Sequence, residues 1–328
     1  MPLALELSPD TVAEKIPETE VVPVSLGVDE RRIPLSFEVS GTPPPYNTSG
    51  YEQYVHAFRT IFERLGPAFV SVAEMPDADE SWSAAYRDEP RAGDGIYRSI
   101  IEDTMRHGPI AKVVPVVTEA GRQEQDLQAE LDWYASIGIE RLLISPSSQE
   151  LNGGEPDDYS LLNLLYLAKG MDDFAEVGVV MRLEQTPTGR DGHPAYKHIA
   201  GRLQIADFGV SLPLLHVEPY NDVMESMAAQ GIHKPVTPGL LPFQTSQEAE
   251  AYASSTDIQL PWDVAEQATI AQLRFASPES HLRQVALDHT VQLAQSLIQE
   301  GAQSLHIYTR NHARLTQQLV DALDTAQN

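Results

Sequence analysis

The chain has 328 residues, of which 42% are hydrophobic, so it can bury a sizeable core, and its length fits one α/β barrel with extensions. Its 22 basic residues are outnumbered by 48 acidic ones, and a net charge of −26 without a basic cluster argues against binding to nucleic acid, whose phosphates attract Lys and Arg. The absence of cysteine excludes disulfides, zinc–thiolate sites and thiol nucleophiles.

Residues 1–30 are acidic, contain proline and show no sustained periodicity, which predicts an N-terminal acidic arm ahead of a folded domain at 31–328. The start lacks the basic residues and long apolar core of a signal peptide. No apolar run approaches the roughly 18 residues that cross a bilayer. We therefore expect a cytoplasmic protein with no membrane partner, and the sequence leaves a homo-oligomer open.

Short aliphatic runs alternate with amphipathic segments from residue 33 onward, which is typical of repeated βα units. The predicted strands are 33–39, 67–73, 112–117, 141–145, 177–183, 208–212, 234–238 and 303–308. The predicted helices are 51–64, 94–107, 123–136, 159–174, 195–204, 218–230, 246–255, 279–300 and 312–325. Eight strands, each followed by a helix, predict a (β/α)8 TIM barrel with an N-terminal extension. A doubly wound parallel sheet is the alternative.

The first predicted strand carries the most informative residue, Glu38. Leu35, Phe37 and Val39 alternate with Ser36 and Glu38, so one face of the strand is polar and is expected to face the barrel interior. Burial there favours the neutral acid and makes Glu38 a candidate proton donor near neutral pH. The alternative is a structural glutamate that lines the barrel and pairs with an arginine.

Several chemical signatures are absent from the sequence. It contains no phosphate-binding loop, no Gly-x-Ser-x-Gly elbow, no His-Glu-x-x-His and no Gly-x-Gly-x-x-Gly. The ten histidines have no metal-ligand spacing, so we expect no metal site.

Four segments in a fixed order carry a family resemblance. They are Pro34-Leu-Ser-Phe-Glu-Val-Ser40, Ala206-Asp-Phe-Gly-Val-Ser-Leu-Pro213, Gly231-Ile-His-Lys-Pro-Val-Thr-Pro-Gly-Leu-Leu-Pro242 and His306-Ile-Tyr-Thr-Arg-Asn311. Together they resemble the methylenetetrahydrofolate reductase family over roughly residues 33–325. The resemblance implies a barrel whose small-molecule substrate is a folate. It places Glu38 on the family's catalytic acid, which protonates the bridged folate and opens it to a 5-iminium cation that accepts hydride.

The middle of the chain departs from this pattern. Family members that hold a flavin show Pro-His-Leu-Thr and Leu-Arg-Gly-Asp, whereas the aligned segments here are Pro115-Val-Val-Thr118 and Ser145-Pro-Ser-Ser148. The flavin-contacting His has become Val116, and the Arg-Gly-Asp has become Pro-Ser-Ser. This pattern favours a flavin-independent reductase in which NADH or NADPH is a co-substrate and passes hydride directly to the methylene carbon, giving 5-methyltetrahydrofolate.

Three alternatives to this interpretation stay open. The first is a reductase that uses FAD through unusual contacts. The second is a barrel of this lineage that acts on another C1-pterin. The third is a catalytically silent, folate-binding paralogue or partner subunit.

The resemblance also suggests residues around the substrate. Glu74 replaces the family's Thr-Tyr-Gly, where a second acid can raise the proton affinity of Glu38 or accept pterin amine hydrogens, or be a plain loop acid. Thr118 and Ser148 stand in the altered segments and are candidate substrate contacts. Lys197 closes His193-Pro-Ala-Tyr-Lys197, which matches the family's His-Pro-Glu-Ala-Lys, and is a candidate cofactor contact.

The folate tail has its own candidates. Phe243 follows the Pro-Gly-Leu-Leu-Pro segment and can stack on the p-aminobenzoyl ring. The family's tail-binding arginine aligns with His312, and Arg310 and Arg314 are near enough in sequence to supply the missing cation. We expect Arg310 with His312 to hold the tail, although an exposed arginine or loop phenylalanine is also an ordinary surface feature.

Overall fold

The computed structural model describes residues 33–41, 59–74, 101–102, 105, 112–118, 122–146, 158–184, 196–256, 258–262, 264–266, 270 and 279–327. The predicted arm at 1–30 and Ser148 lie outside these ranges, as does most of the predicted helices at 51–64 and 94–107.

Eight parallel strands form the centre of the molecule. They are β1 (Leu35–Gly41), β2 (Val70–Glu74), β3 (Val113–Thr118), β4 (Arg141–Ser145), β5 (Glu176–Met181), β6 (Phe208–Pro213), β7 (Val236–Leu240) and β8 (Leu305–Tyr308). Each strand pairs with the next in chain order, and β8 pairs with β1, so the sheet is closed. The predicted TIM barrel is confirmed, and the open doubly wound alternative is excluded.

Within the described ranges, helices follow the strands as the sequence predicts. They are α1 (Glu124–Ser136), α2 (Asp158–Lys169), α3 (Lys197–Ile205), α4 (Glu218–Ala229), α5 (Ser246–Thr256), α6 (Glu279–Gln299) and α7 (Ala313–Gln327), together with a π-helical segment, Ile61–Leu65, before β2. None of these helices combines the length and apolarity that crossing a bilayer requires.

The predicted helix at 159–174 is too long at its carboxyl end. It ends at Lys169, where the N–H groups of Gly170 and Met171 bond to the carbonyls of Leu167 and Ala168, three residues back, as in a tightened last turn. Phe174 is buried beyond the helix, in the turn that enters β5.

Alternation along the strands divides the core into two layers. Outward residues such as Phe37, Val72 and Leu142 belong to the large cluster that also includes the helices, whereas inward residues such as Val114 and Leu143 fill the barrel. Near the amino ends of the strands, the Arg141 guanidinium lies over the rings of Phe69 and Phe208, at 5.1 and 5.4 Å from their centroids. The interior is therefore packed at its amino end, and the carboxyl ends of the strands are left to form the site.

Candidate active site

Glu38 lies on the inward face of β1 and is buried, with 7% of its surface exposed. Burial raises the pKa of Glu38 from 4.5 to about 8. Among the described residues, no ion pair or hydrogen bond to its carboxyl group is formed. No arginine in the described part of the chain therefore pairs with Glu38, as the structural alternative would require. The Glu38 carboxyl group is a neutral acid at pH 7.

A polar cluster of three residues occupies the barrel interior next to Glu38, on the side toward the amino end of β1. The His306 imidazole bridges two hydroxyls, with Nδ1 at 2.8 Å from Ser36 Oγ and Nε2 at 3.3 Å from Ser71 Oγ. Its ring stacks on Phe69 with centroids 5.7 Å apart. Burial lowers the pKa of His306 to about 3, so the imidazole is neutral and adds no positive charge that would lower the pKa of Glu38.

The turn after β8 is fastened to the backbone of Glu38. Thr309 donates two hydrogen bonds to the Glu38 carbonyl, from its N–H at 3.3 Å and its hydroxyl at 2.7 Å, and its hydroxyl accepts one from the Asn311 N–H at 3.0 Å. Arg310 and Asn311 have φ values of 46° and 60°, a region that costs energy for residues other than glycine. Thr309 thus holds a strained turn against the strand that carries the acid.

This turn brings Arg310 and His312 to the β1–β8 side of the barrel mouth. Arg310 is half-buried. Burial lowers the pKa of His312. The positive charge of Arg310 lowers it further, whereas the negative charge of Glu248 raises it and offsets part of the change. His312 is therefore neutral near pH 7, and of the two it is Arg310 that carries a positive charge.

Phe243 lies beside β7 in a small apolar cluster with Leu215, Leu241 and Tyr252. It is 5% exposed, and its ring centroid is 5.9 Å from that of Tyr252. Because protein side chains cover most of the ring, stacking on a ligand requires it to turn out of this cluster. Its role in binding stays a prediction.

The remaining predicted residues are spread more widely. Glu74 ends β2, opposite Gly41, and its side chain lies outside the description, as does the whole of Ser148. Thr118 ends β3, and its buried hydroxyl has no hydrogen-bond partner among the described residues, so it can take a polar ligand atom. Lys197 is an exposed residue at the start of α3. The structure therefore places Arg310 and His312 just after Thr309, the residue bonded to the Glu38 carbonyl, and it places Thr118 on another wall.

The wall formed by β3 and β4 is where a flavin would need contacts. Val116 is half-buried and packs on the apolar interior cluster that includes Leu143, and Pro146 is buried after β4. A valine side chain has no polar atom and a proline has no N–H, so neither side chain donates a hydrogen bond to a flavin. Val116 and Pro146 therefore do not fit that cofactor, and the free Thr118 hydroxyl is the polar group that the described part of this wall offers; residues 147–157 lie outside it.

Sequence reasoning did not select Ser36, Ser71, His306 or Thr309, nor a second buried acid, Glu184. Glu184 follows β5 and accepts hydrogen bonds from the N–H groups of Leu215 and His216, at 2.5 and 3.0 Å. Burial raises the pKa of Glu184, and these two bonds counteract the rise. Glu184 thus holds the loop between β6 and α4. A polar residue between two buried aliphatic residues, as in Leu305-His-Ile307, is the signal that reveals an inward-facing group.

The described residues hold no cluster of three or more His, Asp or Glu side chains arranged for a metal ion.

Comparisons with known proteins agree with this fold. The chain is 24% identical over 301 residues to a 5,10-methylenetetrahydrofolate reductase of Pectobacterium carotovorum, covering 91% of this chain and 93% of the relative. It is 23% identical to the enzyme of that name from Escherichia coli K12, covering 89% and 91%. In fold it is similar to a Clostridium thermocellum protein that binds two copies of 5-methyl-5,6,7,8-tetrahydrofolic acid, with a TM-score of 0.57, 9% identity and 89% and 94% coverage.

The sequence profile of the methylenetetrahydrofolate reductase family matches residues 25–324, which is most of the chain. The protein is a divergent member of the methylenetetrahydrofolate reductase family.

Proposed function

We propose that this protein reduces 5,10-methylenetetrahydrofolate to 5-methyltetrahydrofolate, with NADH or NADPH as the direct hydride donor. The observation that carries the proposal is Glu38, a buried carboxyl group whose pKa of about 8 keeps it protonated at neutral pH. Family membership and the names of the curated relatives support the folate as substrate.

The chemistry needs one proton and one hydride. Glu38 gives its proton to a nitrogen of the bridged folate, the bond between that nitrogen and the methylene carbon breaks, and a 5-iminium cation forms. The dihydronicotinamide then transfers hydride to the methylene carbon, which leaves 5-methyltetrahydrofolate and the oxidised nicotinamide. The Glu38 carboxylate recovers a proton from solvent. A positioned acid of suitable pKa accelerates the first step, and the barrel mouth holds the two substrates together for the second.

Direct transfer is favoured by the β3–β4 wall. Where the family places flavin contacts, the chain has Val116 and Pro146, and a nicotinamide is itself a competent two-electron donor to an electrophilic iminium carbon. The sequence contains no nucleotide-binding fingerprint that would distinguish NADH from NADPH, so either nucleotide can be the donor.

The test combines a spectrum with an assay. Gently purified protein is expected to be colourless, to release no FAD on denaturation, and to oxidise NADH or NADPH only when methylenetetrahydrofolate is present. Stoichiometric FAD in the released supernatant would contradict direct transfer and favour an FAD-dependent reductase. A colourless, folded protein that binds folate but turns over with neither nucleotide would identify a catalytically silent paralogue.

A further inference from the structure

Four residues with hydroxyl groups adjoin Glu38 on β1, β2 and β8. Ser71 on β2 and Tyr308 on β8 are its partners in the strand register. Ser36 lies two residues before it on the same inward face of β1, and Thr309 follows β8. Hydroxyl groups are ordinary hydrogen-bond donors to a carboxylate. In the described structure, however, none of these four donates to the Glu38 carboxyl group.

Three of the four hydroxyls donate their hydrogen to a backbone carbonyl. Tyr308 donates to the Ser211 carbonyl at 3.0 Å, and Thr309 donates to the backbone carbonyl of the acid itself at 2.7 Å. Ser36 donates to the Leu305 carbonyl at 3.3 Å. Because a hydroxyl has a single hydrogen, each of these groups is only an acceptor toward any further partner.

The hydrogen of the fourth hydroxyl, that of Ser71, is directed by the His306 imidazole. Since Ser36 donates to the Leu305 carbonyl, its oxygen accepts from His306 Nδ1 at 2.8 Å, which places the imidazole hydrogen on Nδ1. Burial lowers the pKa of His306 to about 3, so the ring is neutral and has no second hydrogen. Nε2 is therefore an acceptor, and the Ser71 hydroxyl at 3.3 Å is its donor.

Acceptors alone around a buried carboxyl group favour its neutral form, because the charged form has no donor to replace water. The described titratable residues next to Glu38 are His306 and Tyr308 on β8, Glu74 at the end of β2, and Arg310 and His312 after β8. Burial is the cause that raises the pKa of Glu38. With the four hydroxyl hydrogens committed elsewhere, the polar wall does not offset that rise.

We propose that His306 is a positioning residue: by accepting the hydrogen bond of Ser71, it leaves Glu38 with acceptors only and keeps the carboxyl group protonated for donation to the substrate. This inference rests on the proposed function, because it takes Glu38 as the proton donor. It predicts that a Ser71 hydroxyl released from His306 donates to the Glu38 carboxylate, which stabilises the charged form and lowers the pKa.

The test measures the pKa of Glu38 in the full chain without ligands, from the infrared carbonyl band of its protonated carboxyl group. Subtraction of the Glu38→Gln spectrum identifies that band. The variants are His306→Phe, which removes both ring nitrogens and retains an aromatic ring, and the double variant His306→Phe/Ser71→Ala. The matched control is Ser304→Ala, which removes a serine hydroxyl that is bonded to Thr237 just before the amino end of β8.

The wild type and Ser304→Ala should titrate at about pH 8. In His306→Phe, the released Ser71 hydroxyl should lower the pKa of Glu38 by about one to two, the size expected for one hydrogen bond to a charged group. Loss of the polar ring alone would act in the opposite direction, since apolar surroundings raise the pKa of a carboxyl group. The double variant should return to the wild-type value. An unchanged or raised pKa in His306→Phe, or a lowered one that Ser71→Ala does not restore, overturns the inference.

A measurement on the wild type keeps the inference testable if His306→Phe does not fold. Nitrogen NMR of histidine-labelled protein reports which imidazole nitrogen carries the hydrogen, and the His306 signals are identified by their change in Ser36→Ala. Hydrogen on Nδ1 is expected. Hydrogen on Nε2 would direct the ring toward Ser71 as a donor, and it overturns the inference.

Because the infrared measurement needs no substrate, the two possible failures are distinguishable. If the protein does not reduce the folate, but His306→Phe lowers the pKa of Glu38 and Ser71→Ala restores it, the role of His306 is supported and the proposed function fails. If the protein reduces the folate, and its turnover falls at the same pH in His306→Phe as in the wild type, the inference fails and the proposed function stands.

Discussion

The two sides of the barrel mouth differ in chemistry. On the side of β1, β2 and β8, the interior carries an acid, two serines and a histidine, and a polar turn is bonded to the strand with the acid. On the side of β3 and β4, the corresponding inward residues include Val114, Val116 and Leu143, which pack on one another. The barrel interior thus has a polar side, at β1, β2 and β8, and a side at β3 and β4 that is apolar as far as the hydroxyls of Thr118 and Ser145 at the strand ends.

The contrast bears on the proposed function. There, proton donation would depend on Glu38 of β1, which the chain keeps. Flavin contacts would come from β3 and β4, where Val116 and Pro146 have no side-chain hydrogen-bonding group and Thr118 keeps a hydroxyl. Substitutions on the polar wall should therefore change turnover or substrate affinity, whereas substitutions on the apolar wall should change stability.

The largest effect is expected from Glu38→Gln, which keeps the shape and removes the proton. Turnover at saturating substrate should fall by about 10²- to 10⁴-fold, the usual contribution of a positioned general acid. Steady-state kinetics on folded protein measure it, with Glu176→Gln, at the amino end of β5, as a control that should keep normal turnover. Near-normal turnover of Glu38→Gln would remove this residue from its proposed role.

The pH dependence should report the same group. Because the pKa of Glu38 is about 8, turnover should be constant at neutral pH and fall by about tenfold per unit above that value. The raised pKa also predicts that the free energy of unfolding of the wild type, relative to Glu38→Gln, is highest below pH 4.5 and decreases until about pH 8, since the folded state must keep a proton that the unfolded chain releases. A flat rate profile across pH 7–10 would contradict the assignment.

Arg310→Ala tests the charge in the strained turn. The Michaelis constant for the folate should rise by about ten- to a hundredfold, since a hydrogen bond to a charged group contributes about 1.5–3 kcal/mol. Alanine and arginine share the same backbone cost at a φ of 46°, so the change isolates the side chain. Arg310→Lys should recover part of the affinity. An unchanged Michaelis constant at low salt would place Arg310 outside the site.

Thr309→Val should have a smaller effect, because it removes only the hydroxyl that joins the turn to Glu38. The substitution also removes the acceptor of the Asn311 N–H. We expect turnover to fall by about three- to tenfold, because loss of the bond to Glu38, a neutral hydrogen bond of about 0.5–1.5 kcal/mol, loosens the strand that carries the acid. The Michaelis constant for the folate should rise by a similar factor, and Thr309→Ser should restore both. A loss of thermal stability with unchanged kinetics would make Thr309 a structural residue only.

Leu143→Ala tests the apolar wall and should affect catalysis least. Deleting a buried leucine side chain from the interior of β4 should lower the free energy of unfolding by about 2–5 kcal/mol. Below the unfolding temperature, turnover should stay within about twofold of the wild type if this wall has no catalytic contact. A large loss of turnover in folded protein would show that the wall at β3 and β4 also contributes to catalysis.

Much of the fold follows from the sequence, because strand alternation and βα order are local signals. All eight predicted strands are confirmed, with ends that differ by a few residues. The helix predicted to reach residue 174 ends at Lys169, and the turn from Met171 to Phe174 buries Phe174 outside it, which shows that burial alone does not mark a helical residue.

The site was less predictable, because it depends on contacts across the barrel. Glu38 could be selected from its own strand. The Ser36–His306–Ser71 cluster joins three strands, and its pairs are separated by 235 and 270 residues along the chain. The bond from Thr309 to Glu38 spans 271 residues. No local pattern encodes such pairs, and the lowering of the His312 pKa likewise depends on burial that the sequence does not show.

Following the transferred hydrogen distinguishes direct hydride transfer from transfer through a flavin. With methylenetetrahydrofolate and nicotinamide dinucleotide carrying deuterium at the transferable C4 position, in ordinary water, mass spectrometry of the product methyl group measures the transfer. Direct transfer predicts one deuterium in every methyl group formed. Loss of that deuterium to solvent protons would show that an exchangeable carrier such as a reduced flavin intervenes, and it would contradict the account.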